Sequence, residues 1–447
     1  MKENIMGIDA IPKLIRNTSI PMIFSLLMNS LYNIVDSVFV SRISEDALTA
    51  LSLAAPIQLV ISALGCGIAV GLNAAVSKAL GEKNDKKVQK VASASLILAV
   101  IAYFISAVIG IVFTKSYFMW QSQANEMIYH YGVSYLMICM TFSFGTLLQW
   151  VFDRLLIASG KTYLFLISLS IASIINLILD PILIFGYFGF PAMGTAGAAI
   201  ATVIGQIIGA IAGYIINIIG NKEIPIIIEL KVEFKYIREI LKVGIPTMIM
   251  QAVVAFIGIA MNMILQLYST TAIAVMGVCN RIQNMALIVP NGINNGTIPI
   301  IAYNYGAKKK KRIYDSIAYM RKYTVTLMLI VLLILELFPS QILSMFDASE
   351  TMLRIGVSAI RILAISYFIS IFSMMYSTIF QSFGKGQYSM YLTILRQVIL
   401  PVILALMFTV FDDLNFIWGA FIIAEILSFP VAFIMMRNIK TDIIETL

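Results

Sequence analysis

The chain has 447 residues, of which 60% are hydrophobic and 12% charged, with a net charge of +8. A soluble domain carries about 25% charged residues, so this composition excludes an ordinary soluble enzyme and points to a membrane protein. The positive charge does not imply a nucleic-acid partner, because the basic residues sit in connections between long apolar stretches.

Twelve apolar segments are predicted, near 18–41, 48–78, 91–114, 130–158, 164–186, 195–219, 240–267, 272–303, 321–338, 355–383, 390–411 and 414–437. Most reach the roughly 20 residues that a helix needs to cross a bilayer core. They are too long and too uniformly apolar for barrel strands, which run about 10 residues and alternate in polarity. The first segment is too long for the core of a cleavable signal and lacks a small-residue cleavage site, so it is expected to be a retained span. Of the 31 Lys and Arg residues, 24 fall in the two tails and the even-numbered connections. By the positive-inside rule this bias puts both termini in the cytoplasm of a multi-pass cell-membrane protein. Arg154, Arg281, Arg361 and Arg396 lie inside spans.

The longest connection, 220–242, carries Phe234, Ile237 and Leu241 at helical spacing, with Lys235, Arg238 and Lys242 on the other side. This pattern predicts an amphipathic helix on the inner surface. It separates an N-terminal lobe, 1–219, from a C-terminal lobe, 243–447. No connection is long enough for a catalytic domain. Gly160-Lys161-Thr162 has Leu155 where a P-loop needs its first glycine, so no nucleotide partner is expected. Cys66, Cys139 and Cys279 follow no disulfide or metal spacing and read as small buried side chains. His130, the only histidine, falls at the start of a span, where an interfacial role is the simpler reading.

The two halves align with each other at a shift of 225 residues. Ile20-Pro21 falls on Ile245-Pro246, Gln58 on Gln283, Gly67 on Gly292, Gly71 on Gly296 and Gly81 on Gly306. One register held over some sixty residues indicates duplication. Six spans per half is an even number, so both halves enter the membrane from the same side. The predicted fold is all-α and polytopic, with two parallel six-helix repeats. That plan is used by secondary transporters, with the substrate site between the halves.

Asn29, Asn33 and Asp36 share one face of span 1, above Ser25. A polar stripe on a membrane helix faces protein or a wet cavity, not lipid. Span 5 has a second stripe in Ser170, Ser173, Asn176 and Asp180, and Pro181 leaves the Leu177 carbonyl without its helical donor. Span 6 has small residues at Gly194, Ala198, Thr202, Gly205 and Gly209, which permit close packing. Counted along their helices, Asp36, Asp180 and Thr202 all reach the outer half of the bilayer and can meet. Two carboxylates in one dry site cannot both stay charged cheaply unless a cation joins them. A purely structural role, with both carboxylates bonded to helix ends, is the rival reading. The repeat puts Met261 opposite Asp36 and Gly258 opposite Asn33, so ion coupling belongs to the first half.

The sequence resembles the MATE (multidrug and toxic compound extrusion) transporters, in the bacterial branch with the DinF- and MepA-like proteins. The resemblance spans essentially the whole chain. It is carried by Ile20-Pro21, Tyr32-Asn33-Ile34-Val35-Asp36, Ala158-Ser159-Gly160-Lys161-Thr162, Asn176-Leu177-Ile178-Leu179-Asp180-Pro181, Gly197-Ala198-Ala199-Ile200-Ala201-Thr202 and the Tyr303-Asn304-Tyr305-Gly306-Ala307-Lys308 turn. It implies a V-shaped, two-lobed transporter, not an enzyme, that exports organic cations in exchange for H+ or Na+. It also implies a cation site at Asp36, Asn176, Asp180 and Thr202, where Na+ would sit, with Ala198 adding a carbonyl and Asn33 beside it. Pro21 is implied as the hinge of span 1. No cofactor is implied beyond the transported ion, and the protein is expected to act as a monomer. Family members with acidic residues in spans 7 and 10 are not matched here, where Gln251, Asn262, Ser366 and Ser370 stand.

For the substrate, methionine and aromatic side chains suit promiscuous binding of apolar cations. The candidates are Met263, Gln283, Met285, Phe368, Met374 and Tyr376, with Phe144 and Tyr32 opposite. Core packing is the competing explanation for any single methionine. Arg154 is expected to pair with Asp153. A flippase or exporter of a specific metabolite or lipid-linked substrate is the alternative function. Channel and intramembrane-enzyme readings lack a filter and a nucleophile–base cluster.

Overall fold

The computed structural model describes residues 4–122, 125–226, 229, 232–346 and 349–447. Lys2 and Lys231, two of the basic residues that set the predicted orientation, lie outside the described residues. The described residues form helices α1 (Ile5–Ile8), α2 (Ile11–Ser41), α3 (Glu45–Gly81), α4 (Asp85–Gln121), α5 (Glu126–Thr141), α6 (Phe144–Ala158), α7 (Thr162–Phe185) and α8 (Gly194–Gly220) in the first half. The second half holds α9 (Phe234–Leu265), α10 (Thr270–Ala286), α11 (Ile288–Gly306), α12 (Lys310–Leu337), α13 (Pro339–Ser344), α14 (Glu350–Ser382), α15 (Gly386–Ile394), α16 (Leu400–Phe408) and α17 (Leu414–Ile439). Ten stretches are long and apolar enough to cross a membrane alone, and two bent pairs raise the number to twelve.

The bends fall in different spans of the two lobes. In the first, α5 and α6 meet at 47°; in the second, α10 and α11 meet at 41°. Pro290 accounts for the second bend, because it cannot donate to the carbonyl of Ala286. Its counterpart under the repeat is Gly65, inside the unbroken α3. Side chains start several helices cleanly: Ser44 and Ser269, themselves repeat partners, accept from the amides of Ala47 and Ala272. Such caps are worth about 1 kcal/mol each.

The linker pattern continues into a span. Phe234 begins α9, which runs without interruption to Leu265, so residues 234–242 form the first turns of the seventh span. Phe234 is exposed while Ile237 and Leu241 are half-buried. Glu233, just before α9, takes Lys235 at 2.6 Å and Lys90 of α4 at 2.8 Å. Hydrogen bonds from Lys235 and Lys90 hold its carboxyl down to about 2. The contact is therefore at full strength above the ordinary glutamate range, and is lost only as the pH falls toward 2.

The lobes meet at glycines. A Cβ on Gly81 of α3 would collide with the Tyr303 carbonyl, and one on Gly306 of α11 with the Lys78 carbonyl. Shifting Lys78 and Gly81 by the repeat gives Tyr303 and Gly306, so these are one contact made twice about a pseudo-twofold axis. The same holds higher up, where Gly67 packs on Met248 and Gly292 on Ile23. An isologous interface of this kind is what parallel repeats generate. Gly258 and Gly277, on the opposite halves of spans 7 and 8, have open space beside them. The lobe-to-lobe contacts gather on the side that carries the termini.

The N-terminal segment straps this closed end. Asn4 donates to the Ser159 carbonyl at 3.1 Å and bonds Glu223, both in the first lobe or its exit. The Met6 carbonyl accepts from Asn304 at 3.1 Å and Arg312 at 2.9 Å, and the Gly7 carbonyl from Lys309 at 2.9 Å. The Tyr303–Lys308 turn therefore has a structural role, because it presents Asn304 to the strap.

Replacing Gly81 with leucine should push the lobes apart at the closed end. Overpacking of this kind costs about 1–3 kcal/mol, enough to repopulate the opposite state. Spin labels placed on the two lobes at that end should show a longer distance in Gly81→Leu than in the parent protein. An unchanged distance distribution would show that the seal lies elsewhere.

Candidate functional site

Four polar side chains converge inside the first lobe. Asp36 of α2 is 7% exposed, Asn176 and Asp180 of α7 are 3% and 0% exposed, and Thr202 of α8 is 7% exposed. Asn176 Nδ2 donates to Asp180 Oδ1 and to Thr202 Oγ1, each at 3.3 Å. Asp36 lies close enough to act electrostatically on Asp180. Tyr32, one turn below Asp36 on α2, lines the same cavity as Asn176 and Thr202.

Packing explains why these groups meet. Gly205 of α8 sits against the Ala172 carbonyl and the Asn176 Cβ, at distances of 2.9 and 3.0 Å for a hypothetical Cβ. Its missing side chain lets α8 lie close on α7, and Thr202, three residues earlier, then reaches Asn176. Gly209 and Gly213 continue the close approach toward Gln149 and Ser168. In lipid, small residues of this kind bring helix backbones together.

The donor–acceptor balance is uneven. Asp36 Oδ1, Asn176 Oδ1 and Asp180 Oδ2 are buried without a hydrogen-bond partner. Buried polar atoms are nearly always satisfied, and all three of these are oxygen acceptors. Oxygen-only sets suit hard cations such as Na+, and a carboxylate pair equally suits a proton. The four residues that the sequence grouped are therefore brought together with open acceptor capacity. Ala198 is fully buried one turn before Thr202 on α8. Asn33 is not with them: it is exposed and turns its amide to Asn29, at 2.7 Å from the carbonyl and 3.1 Å from the side chain.

A cavity of about 260 Å³ leads away from the cluster and includes Tyr32, Asn176 and Thr202 in its wall. Its far end holds Asp153 and Arg154. Arg154 does not form the expected ion pair with Asp153. Asp153 instead accepts from Ser168 at 2.7 Å, and Arg154 donates across the lobe boundary to Asn295 at 3.4 Å. Thr146 and Gln206, bonded to each other, also line this cavity. Thr146 shares a face of α6 with Gln149 and Asp153, and Gln206 lies one turn after Thr202 on α8, two stripes that the sequence reading did not single out.

The substrate candidates scatter. Tyr32 lines the first cavity; Gln283 and Met374 line a second cavity of about 640 Å³ in the other lobe. Phe144 packs on Tyr103, Phe368 on Phe372, and Tyr376 between Phe380 and Phe429. These three are in neither cavity wall. Met263 and Met285 are largely exposed and also stand outside both walls. Pro21 lies in an unbroken α2. The Asn17 carbonyl that it leaves unpaired accepts from Thr162 at 3.2 Å, so the turn after span 4 supports the proline position. Arg281 is exposed on α10.

A two-lobed bundle of membrane-crossing helices with a polar cavity in each lobe is the architecture of a membrane transporter. The chain belongs to the MatE family, whose model matches residues 21–182 and again 246–407. The two matches are offset by the same 225 residues as the internal repeat. Over 434 residues the chain is 25% identical to the multidrug export protein MepA of Staphylococcus haemolyticus, covering 96% of this chain and 95% of that one. The MepA of Staphylococcus aureus strain MRSA252 is 24% identical over 431 residues, covering 96% and 94%. Among solved structures, an outward-facing multidrug resistance MATE transporter superposes with a TM-score of 0.90 at 23% identity, covering 100% and 99%. A MOP superfamily transporter from Pyrococcus furiosus gives 0.88 at 24% identity, covering 98% and 97%. These structural likenesses establish the fold, and the family members are transporters rather than enzymes.

Thr202→Val keeps the shape of the side chain and removes its hydroxyl. Asn176 then loses one of its two acceptors, and thermal melting of the purified protein should fall by the equivalent of about 0.5–1.5 kcal/mol. If the melting temperature does not move, the Asn176–Thr202 bond does not hold the cluster.

Proposed function

We propose that the protein is a secondary antiporter of the cytoplasmic membrane that exports organic cations in exchange for H+ or Na+, with both termini inside the cell. The observation that carries the reading is the pair Asp36 and Asp180, each with an unpartnered carboxylate oxygen, beside the unpartnered side-chain oxygen of Asn176. Two carboxylates held at one depth in a membrane lobe, with no basic side chain among the described residues bonded to either, form a site that gains stability by taking up a positive ion. The basic bias of the even connections supports the orientation. With that orientation the lobes are closed toward the cytoplasm and open outward, the state in which an ion from outside can load the site.

Loading has a structural consequence in this reading. A cation drawn between α2 and α7 tightens the two helices, and α2 also carries Ile23 and Ser19, which pack on Gly292 and Gly296 of the other lobe. The ion site and the lobe seal thus share one helix, with Pro21 between the two seal residues Ser19 and Ile23. An inward ion gradient then drives alternating access. A one-for-one exchange of monovalent cations moves no net charge and draws only on the ion's concentration gradient, while each net charge moved inward through 100 mV adds about 2.3 kcal/mol. The reading takes the protein as a monomer, since each chain carries both lobes and both cavities.

The test is dye efflux from proteoliposomes under an imposed pH gradient or an imposed Na+ gradient, each alone. One gradient should drive efflux in the parent protein, and Asp36→Asn should reduce the coupled rate at least tenfold. Equal efflux in the mutant would make Asp36 a structural residue. Efflux without any gradient would point to a channel.

A further inference from the structure

The second lobe holds a buried ion pair that the proposed ion cycle does not use. Arg396 and Glu425 are each 7% exposed, with Nη1 and Oε1 2.6 Å apart. Ser373 donates to the other carboxylate oxygen at 3.4 Å. Both charges line the 640 Å³ cavity, and among the described residues no other charged side chain does so. The remaining polar wall is uncharged and rich in amides, including Gln251, Asn280, Gln283 and Gln381.

Stability does not explain the pair. Removing two charges from water costs about as much as their attraction returns, and well-packed apolar residues often serve as well or better. Intramembrane ionisable residues instead mark pathways for substrates and ions. The backbone at Arg396 is also irregular. Residues Leu395–Ile399 form a π-helical turn between α15 and α16, and such turns recur at functional sites. Pro401 is its local cause, since it cannot donate to the Gln397 carbonyl.

The guanidinium has spare capacity. Glu425 occupies one terminal nitrogen, while Arg396 Nε is buried with no partner. A guanidinium has five N–H donors in a planar fork that matches a carboxylate. Glu425 cancels its net charge and holds it in place without using all of those donors.

We propose that the second-lobe cavity is a binding site for the carboxylate end of zwitterionic or acid-bearing amphiphiles, received by Arg396 and its neighbouring amides. The first lobe has the opposite character, with Asp36 and Asp180 unmatched by a bonded cation. The inference rests on the export reading and says where in the molecule the acid end of a substrate is held, but binding is measurable without transport.

The probes are rhodamine 110, which carries a free carboxyl group, and rhodamine 123, its methyl ester. Fluorescence polarisation on the purified full-length protein, with no gradient, should show tighter binding of the acid than of the ester. The double variant Arg396→Gln with Glu425→Gln removes both charges together and so leaves no buried charge unpaired. It should lose at least tenfold in affinity for rhodamine 110 and change less than twofold for rhodamine 123. Equal affinity of the parent protein for both dyes overturns the proposal without any mutation. So does a parallel loss, or no loss, for both dyes in the double variant. Normal binding with no gradient-driven efflux would instead sink the antiport reading and leave this site standing.

Discussion

Contact between the two lobes depends on glycines that let helix backbones touch. Gly81 against Tyr303, Gly306 against Lys78, Gly67 against Met248 and Gly292 against Ile23 are two contacts, each made twice by the repeat. No side chain fits at these positions, so the seal is either formed or broken as a unit. A close-packed interface of this kind is bistable and not continuously deformable. That property is what an alternating-access protein needs. The strap from Asn4 to Asp9 adds polar bonds to both lobes at the same end, where Arg312 donates to the carbonyls of Met6 and Asp9.

Duplication created a symmetric frame, and the chemistry then diverged within it. The first lobe keeps two carboxylates, an amide and a hydroxyl in one buried cluster. At the equivalent of Asp36 the second lobe has Met261, fully buried in apolar packing. Its own buried carboxylate, Glu425, is in a different span and is neutralised by Arg396. One lobe thus offers unbalanced negative charge and the other a balanced pair with spare donors. The lobes differ in the site beside the first cavity, where two carboxylates have no bonded cation, and in the wall of the second, where a cation and a carboxylate are paired.

Much of this was legible along the chain. Twelve spans, the two-fold repeat and the meeting of Asp36, Asp180 and Thr202 follow from local features: runs of apolar residues, matched residues at one offset, and polar residues at one depth; the family resemblance added Asn176 to the set. Other features were not legible, for identifiable reasons. The strap contains no long apolar run, so nothing marked residues 4–10 as ordered. Arg396 and Glu425 are single charges in separate spans, and only folding reveals that they meet. Asn33 shares a sequence stripe with Asp36, but a rotation of some 60° around the helix takes it off the cluster and onto Asn29. Aromatic candidates such as Phe368 and Tyr376 pair with neighbouring rings because composition cannot separate a cavity wall from a packed core.

The sequence by itself determined the membrane class, the duplicated topology and the location of the charges within the spans, because hydropathy, repeat register and helical periodicity are properties of neighbours along the chain. Only the tertiary structure decided which charges pair, which face open space and where the lobes touch. Those outcomes depend on helix rotation and close approach, and a missing Cβ at Gly205 or Gly81 matters only once the partner helix is beside it.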